Sequence, residues 1–276
     1  MRGRPRPAPP ARPAEAGEQV EGRQAVRELL RAGRRRVRGL YLSAEAGEER
    51  GFGEGRGAGE GRGALAEIVD LARGRGIPVH RVGRAELAGR ARTDAPQGVI
   101  ALADPVPGAA LEALTAVTPA GEAPFLVVLD GVTDPHNLGA VMRSALCAGA
   151  TGLVLGRHRS ASLTPAAVKA AAGAVEHLPV ATVGGIPAAL AALSAAGVWT
   201  VALDAGAATS LWDIAVAAEP VALVLGAEGR GVSRLVRQRC DTAVAVPLAG
   251  PLDSLNVSAA AALACFEVAR RRATAR

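Results

Sequence analysis

The second half of the chain alternates short, wholly apolar runs with helix-length segments: FLVVL at 125–129, GLVL at 152–155, VWTVAL at 198–203, VALVL at 221–225 and AVAV at 243–246. A strand with one wet face alternates polar and apolar residues, so unbroken runs predict parallel strands buried on both faces, with the intervening segments as crossover helices. The expected architecture is a doubly wound sheet, whose ligand crevice lies beyond the carboxyl ends of its strands. The first half carries a weaker pattern of the same kind. It predicts a helix over Arg23–Leu30, a strand over Val37–Leu42, a helix over Leu65–Ala72 and strands over Ile77–Val82 and Gly98–Ala103. The glycine-rich run GEERGFGEGRGAGEGRG at 47–63 reads as a mobile surface loop. Four units follow: a flexible basic tail over 1–17, a small α/β unit over 18–104, a Pro- and Ala-rich linker over 105–123 with one short helical turn, and a larger domain over 124–276.

Charge narrows the range of partners. Lys plus Arg exceeds Asp plus Glu by 32 to 26 and the pI is near 10.4, which favours a polyanion. Lys169 is the sole lysine, so the positive charge is almost entirely arginine. Cys147, Cys240 and Cys265 lie far apart without histidines at metal-ligand spacing, and neither a zinc site nor a disulfide framework is expected. No run is long and apolar enough for a membrane span, and the N-terminus lacks the apolar segment of a secretory signal, so a cytoplasmic protein is expected.

Three polar or glycine-rich segments each follow a predicted buried strand. The first, LDGVTDPHNLGAVMRS at 129–144, runs from a strand end into a helix. Leu138, Val141, Met142, Ala145 and Leu146 form its core-facing stripe, and Arg143 falls outside it. Asn137 stands where a side chain can cap the helix or reach a ligand. His136 is expected to pack or hydrogen-bond within the turn. The second segment, GAEGRG at 226–231, is not the GxGxxG dinucleotide fingerprint, and its glycines allow close backbone approach beside the charged Glu228. The third, VPLAGPLDSLNVS at 246–258, leads into a terminal helix for which Ser254 and Asn256 are good initiators. That helix ends in Arg270, Arg271 and Arg272, whose charges suit a helix C-terminus as well as RNA.

Taken together and in this order, GVTDPHNLGA, GAEGRG and SLNVS resemble the three motifs of the SpoU family of RNA 2′-O-methyltransferases, over about Phe125 to Arg272. They are most similar to the branch that methylates a guanosine in 23S rRNA. VEGRQAV and QGVIAL give residues 19–103 a weaker similarity to the RNA-binding domain of that branch. Two positions depart from the pattern: Pro96 stands where a histidine often precedes the Gln-Gly pair, and Leu248 replaces a frequent methionine.

The resemblance implies a trefoil-knotted α/β methyltransferase domain with a parallel sheet, preceded by a small α/β RNA-binding domain. It implies S-adenosylmethionine as methyl donor without a metal, 23S rRNA as partner, and a homodimer whose sites are completed across subunits. It assigns catalytic roles to Asn137, Arg143, Glu228, Ser254 and Asn256, and cofactor contacts to Gly226, Val246, Leu248 and Leu255. In-line transfer from a sulfonium needs alignment more than it needs a metal. A guanidinium is too weak an acid to serve readily as the proton acceptor, so Arg143 is expected to bind the adjacent phosphate and polarise the 2′-hydroxyl, with Asn137 and Glu228 positioning it. Three other readings compete. A tRNA methyltransferase shares the chemistry, a silent RNA-binding or ribosome-assembly factor shares the fold, and a nucleotide-dependent oxidoreductase is disfavoured by the missing GxGxxG turn.

Overall fold

The computed structural model of the protein describes residues 17–47, 58–158 and 160–275. The expected tail and most of the glycine-rich run therefore lie outside the described residues. In the first unit, β1 (Glu18–Glu21), α1 (Arg23–Ala32), β2 (Val37–Ser43), α2 (Ala58–Gly74), β3 (Val79–Val82), α3 (Arg84–Arg90) and β4 (Val99–Ala103) build a four-stranded sheet in the order β1-β4-β2-β3. The apolar stripe of α1, Ala25, Val26, Leu29 and Leu30, is buried, and the helix stops at Gly33, whose left-handed φ of 62° lets its N–H reach Leu29 O. The stripe meets Leu40, Leu42, Val99 and Ala101 on one sheet face. Because side chains alternate along a strand, Tyr41 points to the other face, under the Arg90 guanidinium of α3.

Two differences from the expected pattern have physical causes. Residues 58–63 of the glycine-rich run are the first turns of α2 rather than loop, since the anchored second half of that helix, with Leu65, Ile68 and Ala72 buried, already provides the nucleus for propagation. Strand β1 has no apolar alternation because two of its four residues are buried polar groups. Gln19 donates to Glu21 at 2.6 Å, and Glu21 accepts from the amides of Arg92 at 2.6 Å and Thr93 at 3.1 Å. A polar residue can line a core when its hydrogen bonds are supplied.

In the second unit, strands β5 (Phe125–Asp130), β6 (Gly152–Gly156), β7 (Val180–Val183), β8 (Trp199–Leu203), β9 (Val221–Gly226) and β10 (Thr242–Val244) form a six-stranded sheet in the order β10-β8-β9-β5-β6-β7. All of its pairings are parallel. The run FLVVL shows why its strands are apolar throughout. Phe125, Val127 and Leu129 enter one core with α5 (Pro135–Cys147), α6 (Pro165–Ala170) and α9 (Val257–Thr274). Leu126 and Val128 enter a second core with α7 (Ile186–Ala195) and α8 (Arg234–Arg239). Strands β5 and β9 are neighbours, with Asp130 in register with Gly226, yet the helices that follow them go to opposite faces. This reversal opens a crevice at the carboxyl edge between them. The short strand β7 escaped the sequence reading because its run, PVATV, is brief and interrupted by threonine.

The two units share a buried ion pair. Arg35, 1% exposed in its side chain, donates through Nε to Glu176 Oε2 at 3.0 Å, and Glu176 is equally enclosed. The same guanidinium reaches Glu18 Oε2 at 3.0 Å and the Asp104 carbonyl at 3.1 Å. Nearby, Gly173 has φ 92°, and a Cβ there would lie 2.4 Å from Glu28 Cβ, so only glycine permits this approach of α1. The linker holds the short helix α4 (Leu111–Leu114), whose Leu114 is buried in the second core. At the far end of the chain the arginine cluster is structural. Arg270 and Arg271 pair with Glu267, and Arg272 donates to the carbonyls of Ala123, Pro124, Ala217 and Glu219.

Removing one member of a buried pair strands the other charge. Glu176→Ala is expected to lower unfolding free energy by about 3 kcal/mol in chemical denaturation, and a loss below about 0.5 kcal/mol would contradict this account of the domain boundary. Hydrogen bonds from Arg270 and Arg271 hold the Glu267 carboxyl below its usual range. Its stabilisation is therefore present above the ordinary carboxylate pKa and is lost as pH falls through the depressed value. Glu267→Gln should be less stable than wild type at neutral pH, and the two melting temperatures should converge in acid.

Candidate active site

Each of the three motifs ends in a side chain held by another. After β5 the chain turns through Gly131, φ 78°, and Asp134 caps α5 by accepting from the His136 amide at 2.9 Å, with Pro135 in the first turn. Asp134 thus occupies the capping position considered for Asn137. Freed from capping, Asn137 is 7% exposed and turns its side chain toward the second motif, donating Nδ2 to Glu228 Oε1 at 2.9 Å. Asn256 caps α9 through its own Oδ1, which accepts from the Ser258 amide at 2.8 Å and hydroxyl at 2.6 Å. Its Nδ2 donates to Asn137 Oδ1 at 3.2 Å and also to Glu228 Oε1. Both amides have one consistent orientation in this network, and one carboxylate oxygen receives a donor from each of the other two motifs.

Backbone geometry completes the second motif. A Cβ on Gly226 would lie 1.8 Å from the Gly231 carbonyl carbon and 2.1 Å from Val232 N, because the turn folds back over the strand end. The turn is closed by Gly231 N–H to Ala227 O at 2.9 Å, with left-handed Gly229 at φ 73° and Gly231 at φ 64°. Asp130 Oδ2 then accepts from Ser233 N at 2.8 Å and ties the turn to the end of β5.

In front of this network is a cavity of about 350 Å³ at the carboxyl edge of β8 and β9. Gly226, Glu228, Val246, Leu248, Ser254 and Leu255 all line it, so the third loop and the glycine turn face each other across one space. Asn137 and Asn256 stand behind Glu228. Arg143 is elsewhere. It is exposed, lines a separate cleft of about 610 Å³ with His136 and Lys169, and its side chain makes no hydrogen bond or ion pair among the described residues. The expected positioning of Arg143 by Asn137 and Glu228 is therefore not a direct contact, since the latter two hold each other. Sequence reasoning also passed over Asp204, a wall of the cavity whose Oδ2 pairs with Arg237 Nε at 3.0 Å. Its position at the end of VWTVAL, a carboxyl edge, was the signal that pointed to it. No group of three or more His, Cys, Asp and Glu side chains able to hold a metal occurs among the described residues.

A parallel sheet with a glycine-walled cavity at the carboxyl edge of its strands, joined to a second small α/β unit, defines a two-domain α/β protein with a nucleotide-sized ligand site. Residues 124–266 match the model of the SpoU rRNA methylase family, and residues 19–108 match that of RNA 2′-O ribose methyltransferase substrate binding. The chain belongs to the SpoU family of S-adenosylmethionine-dependent RNA 2′-O-ribose methyltransferases. It is 40% identical over 208 residues to the 23S rRNA (guanosine-2′-O-)-methyltransferase RlmB of Photobacterium profundum, a match covering 75% of this chain and 83% of that one. A putative TrmH family tRNA/rRNA methyltransferase of Bacillus subtilis, YacO, is 39% identical over 207 residues, 75% of this chain and 82% of its own. Among solved structures, the AdoMet-bound rRNA methyltransferase of Sinorhizobium meliloti superposes with a TM-score of 0.73 at 25% identity, covering 92% of this chain and 87% of that one.

The close approach at Gly226 admits no side chain. Gly226→Ala is expected to abolish S-adenosylmethionine binding in calorimetry while the far-ultraviolet circular dichroism stays that of a folded protein. Binding within threefold of wild type would contradict the geometry given for the turn.

Proposed function

We propose that the protein transfers the methyl group of S-adenosylmethionine to the 2′-hydroxyl of a guanosine ribose in 23S rRNA. The observation that carries this reading is that the second and third motifs wall one cavity while the first is tied to both through Asn137, in a chain 40% identical to an enzyme of that activity. The cavity suits the cofactor: its glycine turn brings backbone to the ligand where a Cβ would not fit, and Leu203, Leu225, Val246 and Leu248 give an apolar lining for a purine. When bound there, S-adenosylmethionine supplies an electrophilic methyl carbon on a sulfonium.

The residues divide the remaining work. Gly226, Val246, Leu248 and Leu255 enclose the cofactor, and Glu228, Asn137 and Asn256 keep the two enclosing loops at a fixed separation. Ser254 lends a hydroxyl at the mouth of the cavity. Arg143 binds the phosphate beside the target ribose and polarises the 2′-hydroxyl, favouring the charge that develops as its proton leaves. Since Arg143 is absent from the cofactor cavity of its own chain, a homodimer that brings it to the partner's cavity accounts for its exposure. Support for such a dimer comes from α9, where Leu263 and Phe266, 40% and 51% exposed, lie one turn apart. The same reading makes the domain over 124–276 a trefoil-knotted one, that over 18–104 the RNA-binding one, and the protein a cytoplasmic enzyme.

Labelled methyl transfer to unmodified 23S rRNA and bulk tRNA, followed by mapping, tests the proposal. A single ribose-methylated guanosine in 23S rRNA is expected. Label confined to tRNA would overturn the target, and no label on either RNA with cofactor bound would overturn the activity. Arg143→Ala should lower kcat on the order of a hundredfold or more with cofactor affinity unchanged. Nearly full turnover in Arg143→Lys, with an unaltered pH profile, would contradict the role given to the guanidinium.

A further inference from the structure

The cleft that holds Arg143 lies between the two units, and each contributes a wall. The small unit supplies Gly22 and the segment from Arg92 to Gln97, and the large one supplies α5 and α6 with His136, Arg143 and Lys169. The charges there are unequally satisfied. Glu21, fully buried at its edge, is saturated by the amides of Arg92 and Thr93, the Thr93 hydroxyl and Gln19. The side chains of Arg92 and Arg143 have no hydrogen-bond or ion-pair partner among the described residues, and Asp94 is the one exposed carboxylate lining the cleft. Lys169, the sole lysine of the chain, donates to Thr93 Oγ1 at 3.3 Å across the boundary, which leaves other ammonium protons for a ligand.

The backbone keeps this space open. Gly139 lets α6 sit against α5, since a Cβ there would lie 2.5 Å from Ala167 O, and this seats Lys169 at the cleft. Gly22, at φ 94°, faces it, and a Cβ there would lie 3.3 Å from Gln97 Oε1 and 3.6 Å from Lys169 Cγ. Gln97 at φ 55° and Ala172 at φ 50° are the two non-glycine residues with positive φ among the described residues, and both line this cleft. Backbone held in such conformations concentrates at binding sites.

We infer that Lys169, with Arg92 and Arg143, seats a phosphodiester of the RNA strand in the cleft between the domains. Both domains then grip the same stretch of strand, and Lys169 is a positioning residue for the substrate. This inference rests on the RNA methyltransferase reading above. It places three cations around one polyanionic ligand, and it gives the lone lysine a task that a compact, mobile point charge suits.

The test is filter binding of the full-length protein to unmodified 23S rRNA, without cofactor, over a range of salt concentrations. Removal of one phosphate contact should lower the slope of log K against log salt by about one. Lys169→Met is expected to weaken binding on the order of tenfold with that change of slope, whereas Lys169→Arg should keep the wild-type slope. Thr93→Val removes the hydrogen bond across the boundary but no charge, and its slope should equal that of wild type. If Lys169→Met and Thr93→Val weaken binding alike with no change of slope, Lys169 is only a tie between domains and the inference fails. It fails equally if Lys169→Met binds as wild type does. Failure of wild-type protein to methylate any RNA would instead undo the activity, which this binding assay does not use.

Discussion

Three loops drawn from distant parts of the chain meet at Oε1 of Glu228, and the cavity proposed for the cofactor opens beside that junction. Asn137 arrives from the start of α5, 91 residues before Glu228, and Asn256 from the start of α9, 28 residues after it. Two amides donating to one carboxylate form charge-assisted hydrogen bonds, stronger than neutral ones. The loops bearing Gly226 and Leu255 are thereby joined at one point, Asn256 to Glu228, and face each other across the cavity beside it. The sheet supports this from below: β5 and β9 are adjacent and their helices diverge, so the glycine turn and the first motif emerge side by side.

The second constraint is the boundary between the domains. A small sheet with one helical face could be tethered loosely, but here Arg35 and Glu176 bury a charge pair between the units, and Gly173 lets α1 close to contact distance. The arrangement turns the loop before β4 toward Arg143 and creates the basic cleft. The two units are thus joined by a buried ion pair and close packing as well as by the linker, whose helix α4 is itself anchored through Leu114.

Much of this was legible beforehand, for identifiable reasons. The doubly buried strands announced themselves because a run such as FLVVL has to satisfy two cores at once. The stripe of α5 followed from its period, and the second and third motifs marked residues that line one cavity. What stayed hidden depends on partners remote in sequence. The burial of Gln19 and Glu21 in β1 requires backbone groups 71 residues away, the Arg90 carbonyl for one and the Arg92 amide for the other. Glu176 reads as an ordinary surface acid until Arg35 is placed beside it. Asn137 reads as a helix cap because nothing local says that Asp134 takes that position, and the separation of Arg143 from the cavity beside Glu228 is a property of the assembled fold.

The claim that the site depends on one shared carboxylate is tested most directly by a double-mutant cycle on cofactor binding. Affinities of S-adenosylmethionine for wild type, Asn137→Ala, Asn256→Ala and the double variant would be measured by calorimetry. Residues that share one network are coupled, and the two substitutions together should cost about 1–2 kcal/mol less than the sum of the singles, because the first already releases the loops. Additivity within about 0.3 kcal/mol would mean that Glu228 joins the motifs in space without joining them in energy, and would contradict the account.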